Sequence, residues 1–249
     1  MKQHRLTFCF FFSFLFTWCF WIGDALLVSF TPFQEGDFLP SLLFTVGGFG
    51  PGVAAILCLG KVRNWKNIRC FFFQHEKKSI WILLLLLGLE ILTFGLSSLQ
   101  LNSQISLPSV PLLLLQAIIL YGGNEEPGWR GVIQPLLQEK LPNWLAALLL
   151  GCIWSVWHLP LWFIPGNSHQ GTSFLVFAFL AVFTTFWLAA LRNQGGSVFF
   201  CMILHGATNI LLSLFVIQFN WILVAGLVVL TVLSVWLLRK QPPSSKAKT

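Results

Sequence analysis

Residues 110–138 read VPLLLLQAIILYGGNEEPGWRGVIQPLLQ. An apolar run opens the stretch, and Glu125, Glu126 and Arg130 then fall in its middle. The chain around it is no more polar. Of 249 residues, 56% are hydrophobic and 9% charged, against roughly 25% charged in an ordinary soluble domain. Mean hydropathy is +0.79. No single soluble core of this size hides that much apolar surface, so the chain belongs in a bilayer. A soluble enzyme, a disordered chain and a secreted disulfide scaffold are excluded. A β-barrel is excluded too, because runs such as residues 83–87 (LLLLL) lack the alternating polar positions of a barrel strand.

A spanning helix needs about 20 apolar residues. The apolar runs predict spans at 6–30, 41–60, 80–99, 110–138, 144–165, 173–191, 198–217 and 221–238. The expected fold is therefore all-α and polytopic, with about eight transmembrane helices. Its expected parts are residues 1–108 (N-terminal helices and a basic cytoplasmic segment), 109–217 (the core, with the intramembrane polar groups) and 218–249 (a last helix and a disordered tail). The N-terminus resembles a signal peptide, with Lys2, His4 and Arg5 before a Phe-rich run. No cleavage site follows promptly and the run is too long, so a retained first span is expected.

Lysine and arginine set the orientation. Fourteen of the fifteen fall at the N-terminus, between residues 61 and 78, at Lys140, at Arg192 or after Leu238. The intervening loops, 31–40, 100–109, 166–172 and 218–220, have none. The positive-inside rule then puts both termini in the cytoplasm. The basic segment also contains Trp65 and Phe71 to Phe73, which suits a helix lying on anionic lipid. Nothing calls for nucleic acid. Six cysteines (Cys9, Cys19, Cys58, Cys70, Cys152, Cys201) form no C-x-x-C pair and are expected to be free thiols packing as small apolar groups.

Polar residues at bilayer depth are costly, and each is a site hypothesis. Glu126 and Arg130 are four apart and can pair on one helix face. His205 and Asn209 share a face by the same spacing. Gly122 and Gly123 loosen the fourth span, Asn124 is placed to cap a fresh turn, and Pro127 fits in that first turn. At 1.5 Å rise per residue, Glu125 lies about 20 Å in from Gln138 and His158 about 21 Å in from Trp144. His205 lies roughly 13–15 Å in from Gly196. Three spans thus place polar groups in one layer, and a central polar cavity within the membrane is expected. Two Glu, two His, an Arg and an Asn suit hydrolysis. A Glu helped by a His activates water, and His and Asn donate to an oxyanion. The same Glu and His could instead hold one Zn²⁺. A bis-histidine haem protein using His158 and His205, or a proton-coupled transporter, are the non-proteolytic alternatives.

These motifs resemble the CAAX-protease and bacteriocin-processing family of intramembrane proteases, called Abi or CPBP. That family is marked by E-E-x-x-x-R, F-x-x-x-H and H-x-x-x-N on successive helices. Here they stand as Glu125-Glu126-x-x-x-Arg130, Trp154-x-x-x-His158 and His205-x-x-x-Asn209. The resemblance runs over about residues 112–212. Trp154 replaces the family's Phe, which bears on packing rather than on chemistry. The resemblance implies an endopeptidase cutting a membrane-associated protein or peptide near its C-terminus. Glu125 and His158 would activate water, His205 and Asn209 would stabilise the oxyanion, and Glu126 with Arg130 would support the site. It leaves glutamate-dependent and metal-dependent mechanisms both open. The cell membrane, as a bacterial inner membrane, is the expected location. Outside the motifs, Asp24 is expected to be solvated at the outer interface, His169, Glu35 and Asp37 to lie in outer loops, and Glu90 to serve as a structural partner to a neighbouring helix.

Cysteine-accessibility mapping in intact cells is expected to find both termini and the 61–78 segment cytoplasmic. Labelling of the C-terminus from outside would show that the span count is wrong.

Overall fold

The computed structural model describes residues 2–59 and 64–239. Lys61, Arg63 and the expected disordered tail at 241–249 lie outside them. In chain order the helices are α1 (Lys2–Phe30), α2 (Phe38–Gly48), α3 (Gly50–Leu59), α4 (Trp65–Phe73), α5 (Lys77–Ser97) and α6 (Val110–Ile119). The single turn α7 (Glu126–Gly128), then α8 (Gln134–Gln138), α9 (Asn143–Trp157), α10 (Phe174–Asn193), α11 (Val198–Leu214) and α12 (Trp221–Arg239) follow. No strand forms among the described residues, where Leu101 and Phe215 make an isolated antiparallel bridge. The fold is an all-α polytopic membrane fold.

Six helical stretches are long and apolar enough to cross a membrane, and α2 with α3, bent by 41°, make a seventh. The remaining expected span, 198–217, stops short. It is the 17-residue α11, about 25 Å long at 1.5 Å per residue. The helix ends at Leu214 because its continuation pairs with residues 100–102. Asn102 N–H donates to Leu214 O at 2.8 Å, and Val216 N–H to Gln100 O at 3.0 Å.

The chain forms two compact units, Met1–Arg63 with Asn124–Thr185, and Asn64–Gly123 with Phe186–Thr249. In the first, α1 packs along α2 and α3. Small residues make this possible: a Cβ on Gly50 would overlap the Thr17 hydroxyl. Polar side chains within this packing bond to backbone, as buried groups must. Thr17 donates to Gly47 O at 2.7 Å, Trp21 Nε1 to Phe44 O at 2.9 Å and Trp157 Nε1 to Ser13 O at 3.2 Å. The start of α3 lies against the turn bearing Glu125 and Glu126. A Cβ on Gly52 would meet Asn124 O at 2.9 Å, and one on Gly128 would strike the Pro51 backbone.

Two expectations are corrected here. Cys9 and Cys58 are joined as a disulfide rather than free, because α1 and α3 run side by side and bring positions 49 residues apart together. Cys19, Cys70 and Cys152 are exposed thiols, and Cys201 is a buried thiol directed at Leu188 O. Asp24, expected in solvent, is fully buried in the first unit.

In the second unit, α5 packs against both α11 and α12, and α6 packs along α11. Glu90 of α5 is buried and its carboxyl oxygens lie within hydrogen-bond distance of the Thr208 hydroxyl of α11, so it does partner a neighbouring helix. The helix ends are tied by Gln194 Nε2 to Leu237 O at 2.8 Å and by Asn220 Nδ2 to Ser97 O at 2.7 Å. Helix α4 is short, capped by Asn64 Oδ1 accepting from Asn67 N–H, and has no buried residue.

Gly206 fixes the approach of α6 to α11, since a Cβ there would lie 2.8 Å from Ile118 Cγ1 and 2.9 Å from Ile118 N. Gly206→Leu must push the helices apart, and overpacking of this kind costs about 1–3 kcal/mol. A lower melting temperature in detergent is expected. An unchanged melt would mean that the α6–α11 contact is loose.

Candidate active site

The polar break in residues 110–138 is built by local rules. Helix α6 ends at Ile119, and Gly122 adopts φ +117°, which only glycine reaches without strain. A 3₁₀ turn over Gly123–Glu125 follows, so Asn124 lies inside that turn instead of capping α7. Pro127 sits in the first turn of α7 as expected, where its missing N–H does no harm. Trp129–Ile133 then forms a π-helical stretch, a geometry frequent at functional sites.

Four of the expected site residues meet in the first unit. Glu125 Oε2 accepts two indole N–H bonds, from Trp154 at 2.6 Å and from Trp129 at 3.2 Å. That leaves Oε1 facing His158 Nε2 at 3.8 Å. Glu126 turns the other way. Its Oε2 accepts from Arg130 Nε at 3.0 Å, with both side chains at 0% exposure, and Arg130 Nη2 reaches Thr185 Oγ1 at 3.4 Å. The two neighbouring carboxylates therefore differ. One is neutralised by a guanidinium, and the other is oriented by uncharged donors toward an imidazole.

His158 is placed by the end of α9. Pro160 prevents the helix from continuing. The His158 N–H bonds to Ser155 O, which leaves Trp154 O to accept from the ring Nδ1 at 2.9 Å. A carbonyl only accepts, so Nδ1 carries a proton and Nε2 is the nitrogen that faces Glu125. Aromatic rings wall the imidazole: Trp157 edge-on at 4.6 Å between centroids, Phe177 at 5.0 Å and Trp154 at 5.1 Å.

The substitution of Trp for Phe at position 154 thus bears on the chemistry and not merely on packing, since Phe has no N–H to give Glu125. Trp129 was equally unmarked by the sequence reading. Both indoles lie four or twenty-nine residues from Glu125, and only the first is a helical spacing that sequence could have flagged. His169 was read as a loop residue. It lies 6.5 Å from the His158 ring between centroids. Its Nδ1 donates to Asn167 Oδ1 at 2.9 Å, and Asn167 Nδ2 donates to Glu35 at 3.0 Å. Burial pushes the His169 imidazole down to about 4 from its ordinary 6.5, so it is neutral at physiological pH. Burial raises Glu35 above the usual carboxylate value, opposed by the Asn167 bond.

In the second unit, His205 is buried and Asn209 half-buried on one face of α11. Asn209 Nδ2 donates to Tyr121 O at 3.0 Å. A Cβ on Gly122 would lie 2.5 Å from Asn209 Nδ2 and 2.9 Å from His205 Nε2. The first glycine of the break is thus needed twice, for its φ and for the close approach of its backbone to these two side chains.

A zinc site usually takes three or four protein ligands. Among the described residues, no three His, Cys, Asp or Glu side chains converge as such a site requires. Within the first unit, Glu125 and His158 supply one carboxylate and one imidazole.

Residues 106–211 match the type II CAAX prenyl endopeptidase Rce1-like family. That segment contains all six expected site residues. The chain is also 29% identical to CAAX prenyl protease 2 of Methanococcus maripaludis over 175 residues, which is 64% of this chain and 62% of that protein. The resemblance carried by the three motifs is borne out by both comparisons.

Removing one partner of the Glu126–Arg130 pair strands a buried charge, which typically costs about 3–5 kcal/mol. Arg130→Ala is expected to lower the melting temperature in detergent sharply. Glu126→Gln with Arg130→Met removes both charges and should recover much of the loss. A double variant melting no higher than Arg130→Ala would show that the pair is not the stabilising contact.

Proposed function

We propose that this protein is an intramembrane endopeptidase that cuts a membrane-associated protein or peptide near its C-terminus. One observation carries the reading. Two indole N–H groups fix Glu125 Oε2, and the other oxygen is aimed at His158 Nε2. In this reading a water held between Glu125 Oε1 and His158 Nε2 attacks the scissile carbonyl. Glu125 takes the proton as the C–O bond forms. The carbonyl π electrons move to oxygen, giving a tetrahedral oxyanion. The family resemblance assigns its stabilisation to the N–H groups of His205 and Asn209. The intermediate collapses, the C–N bond breaks, and the proton held by Glu125 passes to the leaving amine. Glu126, already paired with Arg130, takes no part in proton transfer and keeps the α7 turn in place.

An apolar pocket of about 330 Å³ lies between α1 and the segment after His158, lined by Trp18, Ile22, Leu26, Leu159 and Phe163 among others. Its chemistry suits a hydrocarbon chain, which supports a lipid-modified substrate. The relative named a prenyl protease is consistent with this. The distribution of lysine and arginine supports a cell-membrane protein with both termini cytoplasmic. Helix α4, with Trp65 exposed beside Lys66 and Arg69, would rest on anionic lipid headgroups.

The test is cleavage of a synthetic peptide ending in a farnesylated CAAX sequence by the purified protein in detergent. Fragments are read by mass spectrometry beside the unmodified peptide. Glu125→Gln is expected to lower kcat by roughly 10²-fold or more, the scale of general-base catalysis, with an unchanged melt. Trp154→Phe should lower kcat less, because it removes one donor and keeps the ring. Retention of wild-type cleavage by Glu125→Gln would remove Glu125 from the mechanism. Chelation should leave the rate unchanged. Loss of activity restored by Zn²⁺ would instead give Glu125 and His158 the role of metal ligands.

A further inference from the structure

Glu90 is absent from the three motifs, yet it is 0% exposed within the second unit. Its two carboxyl oxygens lie 3.1 and 3.0 Å from the Thr208 hydroxyl, and Thr208 is its hydrogen-bond partner among the described residues. The same hydroxyl lies 2.9 Å from Leu204 O. A hydroxyl has one proton and two lone pairs. Leu204 O can only accept, so it takes the Thr208 proton. The bond to Glu90 then needs a proton from Glu90, and the chain runs Glu90 O–H to Thr208 Oγ1 and Thr208 O–H to Leu204 O. An ionised Glu90 would compete with Leu204 O for that single proton and stay a charge among apolar helices, which is costly at this depth.

Thr208 sits in the turn that carries the third motif. Going round α11, Thr208 lies about 60° to one side of His205 and Asn209 about 40° to the other. Thr208 is held by Glu90 on α5, and Asn209 is held by Tyr121 O. The turn is thus fixed on two flanks, and its rotation sets where His205 points. We infer that Glu90 is a positioning residue: as a neutral carboxylic acid it donates to Thr208 and locks the turn of α11 that presents His205 and Asn209. This inference rests on the proposed role of those two side chains.

The experiment uses the full-length protein in detergent and the farnesylated CAAX peptide, measuring kcat, KM and melting temperature. Glu90→Leu and Thr208→Val are each expected to lower kcat roughly 10–100-fold, the effect of a misplacement of up to about an ångström, with KM unchanged. The double variant should be no worse than either single one, because both break the same bond. Glu90→Gln keeps an N–H donor for Thr208 and should keep activity near wild type. Asn209→Ala serves as the reference for the site. Wild-type kcat in Glu90→Leu, with Asn209→Ala inactive, overturns the inference alone. So does a Glu90→Gln variant as inactive as Glu90→Leu, since a neutral donor would not then suffice. Wild-type activity in Asn209→Ala overturns the underlying reading of α11 instead.

Discussion

Two adjacent carboxylates set the terms for the first unit. Glu125 and Glu126 follow an apolar helix into surroundings where an unpaired charge costs several kcal/mol. Each must find donors, and one direction cannot serve both. The pair diverges: Glu126 turns to Arg130 one turn on, and Glu125 turns to the indoles of Trp129 and Trp154. The packing follows from that. Helix α3 brings glycine against the α7 turn, and α9 brings Trp154 and then His158 at its end. A guanidinium pairs with one acid, while uncharged indoles orient the other. That difference suits a supporting acid beside a reacting one.

The second unit meets a similar demand with fewer charges. Its intramembrane polar groups are mostly neutral donors and acceptors. Asn209 is satisfied by the backbone carbonyl of Tyr121, and Thr208 by Leu204 O and Glu90. A group that must donate to a developing oxyanion has to be held rigidly beforehand, because reorganisation during reaction would cancel the gain. The double restraint on α11 gives that rigidity. Gly206 adds to it by letting α6 lie directly on the same turn.

Much of this was legible in the sequence. Composition and hydropathy determined the membrane class and the all-α fold, because lipid leaves backbone groups no partner outside a helix. The spacing of Glu126 and Arg130 determined their pairing, because positions four apart share a helix face whatever surrounds them. Gly122, Gly123 and Pro127 marked the break, since their backbone limits are local. Other features depend on which helices lie side by side, and no local rule carries that. Only the tertiary structure decided that Trp154 donates to Glu125 from twenty-nine residues away, that Cys9 meets Cys58, that Asp24 is buried, and that His169 returns from a loop to His158. The length of α11 was likewise settled by a distant partner, residues 100–102, which draw the chain out of the helix before its apolar run ends. Local periodicity reports the face a residue presents. The group that meets that face is fixed by packing between distant segments.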